Sequence, residues 1–198
     1  QAICDQNGDM IFAFGTDPEY GSGIALRKDQ AFKDKWAVNG TGFDYYRFIV
    51  WALDNNGNLY VRRNPWETSV SKYQIACIDS TGSEKWVFDG RYSSMVIDSL
   101  NRIYVSSENV LICLSKEGEL LWKHSMAVSI TSDLLVGDAN VLYFGCEDKS
   151  IYAFSTETLD LRWTFKCDTI VVRSPNMDKN GNLYVVDEGG SLYALSTE

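Results

Sequence analysis

The chain is poor in histidine, with one in 198 residues, and in proline, with three. None of its five cysteines, Cys4, Cys77, Cys113, Cys146 and Cys167, forms a C-x-x-C pair. A dense disulfide framework needs an even set at close spacing, so these are read as buried free thiols. No apolar run approaches the roughly 20 residues that a membrane-spanning helix needs, so membrane insertion is not expected. Basic residues are outnumbered 18 to 27 and the net charge is −9. Nucleic-acid binding rests on cations that displace counterions from phosphates, so DNA and RNA are not expected as partners. An anionic membrane surface is disfavoured for the same reason. No G-x-S-x-G, H-E-x-x-H or phosphate loop occurs. The single histidine, His124, follows Trp122 and Lys123 and reads as a surface residue or one packed between sheets.

What is present is a core. The chain is 45% hydrophobic and 13% aromatic, far from disordered composition. Its length suits one domain over residues 1–198. Two phrases recur along it. The first is an acidic loop followed by a hydrophobic stretch: DQNGDMIFAF from Asp5, DNNGNLYV from Asp54 and DKNGNLYVV from Asp178. Weaker copies are IDSLNRIYVSS and VGDANVLYFG, so the leading aspartates are Asp5, Asp54, Asp98, Asp138 and Asp178, spaced 49, 44, 40 and 40 residues apart. The second phrase is a strand, a polar turn and a strand ending in tryptophan, at Trp36, Trp86, Trp122 and Trp163. A fifth copy begins at LYALSTE. Ala25, Ala76, Cys113, Ala153 and Ala194 read as one small-residue slot where a neighbouring sheet packs closely.

One period therefore holds four short strands, A to D, rich in Val, Ile, Tyr and Phe and bounded by Gly, Asn, Asp and Ser. No helix of useful length is expected. Four antiparallel strands per roughly 40 residues are the mark of a β-propeller blade, so the fold class is all-β. The repeated turn, LYV, LYAL, polar turn and terminal Trp resemble the PQQ-like repeat of quinoprotein-type β-propellers, over essentially the whole chain. That family includes quinoprotein dehydrogenases, an outer-membrane assembly lipoprotein and sensor domains of kinases. The resemblance implies that Trp36, Trp86, Trp122 and Trp163 dock between adjacent blades. A tryptophan buries roughly 150–250 Å², worth at most about 4–6 kcal/mol of transfer free energy.

Four full periods and a partial fifth blade emerge from the count, with blade periods starting near residues 5, 54, 98, 138 and 178. Three completions stay open: a fragment of a larger propeller, a five-bladed ring with a three-stranded last blade, or an arc completed by another copy. The last means self-association through open blade edges.

The acidic loops invite comparison with calcium sites. An EF-hand puts glycine at position 6 and a bidentate Glu at position 12. Here Gly8, Gly57 and Gly181 stand at position 4 and a strand begins two residues later, so the loops read as hairpin turns. No metal is expected. Nor is PQQ: by resemblance, quinoprotein dehydrogenases have a full ring, a calcium cluster and, in many, adjacent cysteines, and this chain has no Cys-Cys dipeptide.

Function is expected on the loops. Gly15–Gly23, Arg62–Gln74 and Asn39–Phe48 are longer than their counterparts and fall on one face of blades one and two. They supply the candidate binding residues Tyr20, Tyr45, Tyr46, Arg47, Arg62, Arg63, Trp66 and Glu67, with Asp17 and Glu19 nearby. Aromatics mixed with arginine and a few carboxylates suit an interface hot spot or a carbohydrate platform. The reading is a non-enzymatic scaffold for a protein partner. The alternatives are recognition of a glycan or small ligand by that face, and a hydrolase or lyase using central-channel carboxylates. The resemblance leans towards export or the cell envelope, and free thiols suit a reducing cytoplasm, so the compartment stays open.

Overall fold

The computed structural model describes the backbone of residues 2–4, 10–14, 24–28, 34–38, 46–65 and 72–197, and the side chains of residues 49–64 and 72–197. The chain divides into two compact units, Gln1–Tyr92 and Ser93–Glu198.

Gln1–Tyr92 holds two four-stranded sheets. The first is β1 (Ala2–Cys4), β2 (Met10–Phe14), β3 (Ile24–Lys28) and β4 (Asp34–Val38); the second is β5 (Tyr46–Leu53), β6 (Leu59–Pro65), β7 (Gln74–Ile78) and β8 (Glu84–Asp89). Ser93–Glu198 holds three. They are β9 (Ser94–Ile97), β10 (Ile103–Ser107), β11 (Val110–Leu114) and β12 (Leu120–Ser125); β13 (Leu135–Gly137), β14 (Val141–Gly145), β15 (Ser150–Ser155) and β16 (Leu161–Lys166); and β17 (Asn176–Met177), β18 (Leu183–Val186) and β19 (Leu192–Leu195). Each sheet is an antiparallel meander in chain order. A 3-10 turn at Asp138–Asn140 is the one helical piece among the described residues. The fold is thus the expected all-β one, and among the described residues the sheets number four of four strands and one of three.

The burial pattern depends on strand position. Ile103, Tyr104 and Val105 are consecutive on β10 and all fully buried. Consecutive strand residues point to opposite faces, so both faces of that middle strand are covered. The outer strand β12 alternates instead: Trp122 and His124 turn inwards, whereas Leu121 and Lys123 face solvent. Within Ser93–Glu198, Tyr104, Leu111, Leu142, Phe144 and Phe154 form one core cluster, and Tyr143, Val171, Leu183 and Val185 belong to a second.

The register corrects the small-residue slot in two blades. Trp122 stands opposite Cys113 and Trp163 opposite Ala153, each just before a bulge in the strand pair. In the second sheet that place belongs to Cys77, opposite Trp86, and not to Ala76, which pairs with Val61. In the first sheet Arg27, not Ala25, pairs with Trp36. A one-residue slip in a strand moves every side chain to the other face, and Ala76 and Cys77 are both small enough to hide it.

Candidate binding face

The repeated aspartates act on their own turns. Asp54 Oδ1 accepts the amides of Asn56 and Asn58 at 2.9 and 2.8 Å, and its Oδ2 accepts the Asn58 amide group at 2.7 Å and the Tyr60 hydroxyl at 3.1 Å. Asp178 repeats this with Asn180, Asn182 and Tyr184. Asp98 does so with Leu100, Arg102 and Tyr104, and Arg102 Nε adds an ion pair at 2.6 Å. The turns also share one backbone pattern: Gly57, Asn101 and Gly181 donate back to the aspartate carbonyl with φ of 77°, 60° and 82°. That is a type I turn with a left-handed residue closing a bulge, and Asn fills the place nearly as well as Gly. The same device recurs at Asp79 and Asp187 in other turns. Hydrogen bonds from the Thr81 hydroxyl, then the Ser83 amide, hold the Asp79 carboxyl below the usual range. Those from the Asn182 side chain and backbone do the same for Asp178.

The fourth copy departs for a reason of length. Tyr60, Tyr104 and Tyr184 lie six residues after their aspartates, but Tyr143 lies five after Asp138. The shorter turn puts both Ala139 and Asn140 at positive φ.

The tyrosines seat the tryptophans. Trp86 lies on Tyr60, Trp122 on Tyr104 and Trp163 on Tyr143, with ring centroids 5.8, 5.9 and 5.8 Å apart. Trp122 also meets Phe154 of the next sheet at 6.3 Å, and His124 meets the same ring at 4.9 Å. The side chain of Trp36 is outside the described residues. Cys77, Cys113, Cys146 and Cys167 are free and buried, and burial pushes the Cys77 and Cys113 thiols up to about 11.

Of the predicted binding residues, Tyr20, Tyr45, Trp66 and Glu67 lie outside the described residues. Tyr46 and Arg47 are described only as backbone of β5. Arg62 and Arg63 are described fully and part company, being neighbours on β6 with side chains on opposite faces. Arg63 is 3% exposed and pairs with Glu84. Arg62 lies over the Trp51 ring at 5.1 Å and donates to the Tyr92 carbonyl at 3.1 Å. Its Nε is buried and makes no hydrogen bond among the described residues. Burial, then the charge of Arg91, pulls the Arg62 guanidinium below its ordinary value. Arg91 itself lies over Tyr73 at 5.3 Å.

Sequence reasoning missed Trp51, Tyr73 and Arg91. Trp51 sits at a β-bulge, between the pairs Val50–Val61 and Ala52–Tyr60. A bulge re-aims a side chain, and here it brings Trp51 under Arg62. The available signal was that Trp51 and Trp66 are the two tryptophans outside the strand D position. Tyr92 is fixed by a hydroxyl bond to the Asp89 carbonyl and stacks on Phe88. Gly90 permits this: at φ of 144° a Cβ there would stand 2.2 Å from the Tyr92 hydroxyl.

In Ser93–Glu198 a polar cavity of about 540 Å³ is lined by Asp98, Asp138, Asp178 and Lys179 among others. Asp98 and Asp178 already commit both oxygens to their turns. Among the described residues no group of three or more His, Cys, Asp or Glu is placed to hold a metal. No helix among them is long and apolar enough to cross a membrane.

Residues 107–198 match the family model described as outer membrane protein assembly factor BamB. No curated protein matches the chain. Among solved structures it is similar to BamB from Moraxella catarrhalis, at 19% identity and a TM-score of 0.72 over 99% of this chain and 57% of that one. It is also similar to a protein of unknown function from Bacteroides caccae, at 11% identity and a TM-score of 0.63 over 99% of this chain and 77% of that one. The chain thus spans less than two thirds of the Moraxella protein.

Proposed function

We propose that this chain, a β-propeller of PQQ-like repeats, is a non-enzymatic scaffold that engages a protein partner through Arg62 and Trp51 of the second sheet and Tyr73 and Arg91 of the loops beside it. The observation that carries the reading is the buried Arg62 Nε, without a hydrogen-bond partner among the described residues, in a guanidinium already stacked on Trp51. A desolvated donor without an acceptor costs about 1–3 kcal/mol, which an incoming carboxylate or carbonyl offsets. Arg62 and Arg91 act on each other as like charges, so an anionic group between them relieves both. Arginine and aromatic rings are the residue types that dominate interface energetics. The expected partner therefore presents an acidic side chain. The family described for residues 107–198 takes its name from outer membrane protein assembly, and by that likeness the reading places this chain in the cell envelope.

A photo-reactive residue in place of Tyr73 tests this. It is expected to crosslink a polypeptide in cells, and Arg62→Ala with Arg91→Ala to abolish the crosslink without lowering the melting temperature. A crosslink that survives both changes sinks the reading. Saturable binding of an oligosaccharide that the same two changes remove transfers the face to glycan recognition.

A further inference from the structure

A second open group lies on the Arg62 face of β6. The pairs Ile49–Arg62, Phe48–Arg63 and Arg47–Asn64 run without a break. Side chains alternate along a strand, so Arg62 and Asn64 point to the same side. Asn64 Oδ1 is buried and, like Arg62 Nε, has no hydrogen-bond partner among the described residues. One is an acceptor and the other a donor, yet they do not bond each other. Buried polar atoms left in this state are rare in folded proteins.

The position is peculiar to this sheet. Four residues on from the strand B tyrosine stand Asn64, Glu108, Glu147 and Glu188. In the third, fourth and fifth sheets the strand has ended by then, at Ser107, Gly145 and Val186, and the glutamate is exposed in the turn. β6 runs on to Pro65, so here the same position is carried on the strand with its side chain partly buried. The β6–β7 ladder closes at Arg63 and Gln74, and the next residues out are Asn64 and Tyr73. Asn64 therefore borders the face that Arg62 and Tyr73 define.

We infer that Asn64 is a specificity residue of this face: it accepts a main-chain N–H from an extended segment of the partner whose acidic side chain reaches Arg62. The inference rests on the protein-partner reading above and narrows it. A carboxylate brings acceptors and no donor, so by itself it satisfies Arg62 and leaves Asn64 open. A peptide unit supplies the missing donor, since every residue but proline carries an N–H. An extended segment keeps such groups free for a receptor. Arg62 and Asn64 are two residues apart, roughly 6–7 Å along the strand, an interval that an acidic side chain and a main-chain N–H of one segment can bridge.

The test uses the intact chain with the photo-reactive residue at position 73 and reads crosslink yield in cells beside the melting temperature. Asn64→Leu removes the acceptor at similar size. It should lower the yield at least about fivefold, because the partner's N–H is then buried unpaired. It should not lower the melting temperature, because in the free chain it removes a buried polar atom that lacks a partner. Asn64→Thr keeps an acceptor oxygen on a residue that suits a strand, and should retain at least about half the yield. A yield that Arg62→Ala with Arg91→Ala abolishes and Asn64→Leu leaves unchanged overturns the role of Asn64 while the protein-partner reading stands. Equal losses in the Leu and Thr variants overturn it too, since the acceptor oxygen then does not matter. So does a melting temperature that falls in Asn64→Leu, since the oxygen then serves the fold. A crosslink that survives the double arginine change, or no crosslink at all, sinks both the inference and the reading beneath it.

Discussion

At the scale of single residues, one carboxylate organises the turn in three of the repeats, at Asp54, Asp98 and Asp178. Asp98 is 6% exposed and joins two backbone amides, a guanidinium and a phenol. Removing a buried acceptor leaves those donors unsatisfied, so Asp98→Ala should cost about 2–3 kcal/mol in urea unfolding. Asp138→Ala, in the shorter turn whose aspartate stands five and not six residues before its tyrosine, should cost less than about 1 kcal/mol. Equal losses would refute the turn account. Acid provides a second check. Asp79 and Asp178 have folded carboxyls held below the ordinary range by hydrogen bonds. The unfolded chain, with carboxyls near about 3.9, then binds more protons as pH falls. Their contribution is complete above about pH 5 and is lost progressively as pH falls from there through the folded values. The urea midpoint should therefore drop between about pH 5 and about pH 3, and Asp79→Asn with Asp178→Asn should flatten that drop. An unchanged slope in the double variant would show that other groups set the acid limit.

At the scale of elements, aspartate, tyrosine and tryptophan form one unit in the second and third sheets: the acid fixes the turn, the phenol reaches the acid, and the indole lies on the phenol. Trp122 is half-buried between Tyr104 and Phe154. Trp122→Ala should cost about 2–3 kcal/mol, somewhat under the range for a fully buried tryptophan. Leu121→Ala, on the solvent side of the same strand, should cost less than about 0.5 kcal/mol. A Trp122 loss as small as the Leu121 loss would show that the indole does not join sheets. The strands were legible because their phrases repeat and because hairpin turns carry their own chemistry. Asp–Tyr pairing was legible too, in the recurring interval of six, but only once a bond gives that interval meaning. The binding face was legible in part. Arg62 stood out by type, yet the split between Arg62 and Arg63 depends on strand alternation. Trp51 depends on a bulge, and a bulge is a property of two strands that neither sequence states alone.

At the scale of the whole molecule, each sheet is made of consecutive residues, so stability should be distributed sheet by sheet. Within Ser93–Glu198 the coverage is uneven. The middle strands β10, β11, β14 and β15 are buried almost throughout, whereas β18 and β19 carry Tyr184, Val186 and Leu192 in solvent. Local opening is easiest where few apolar contacts are lost, so amides of β18 and β19 should exchange with deuterium well before those of β10 and β14. Equal exchange rates across all three sheets of this unit would mean that it opens as one body, and the fifth sheet would then be held as firmly as the rest despite its bare face.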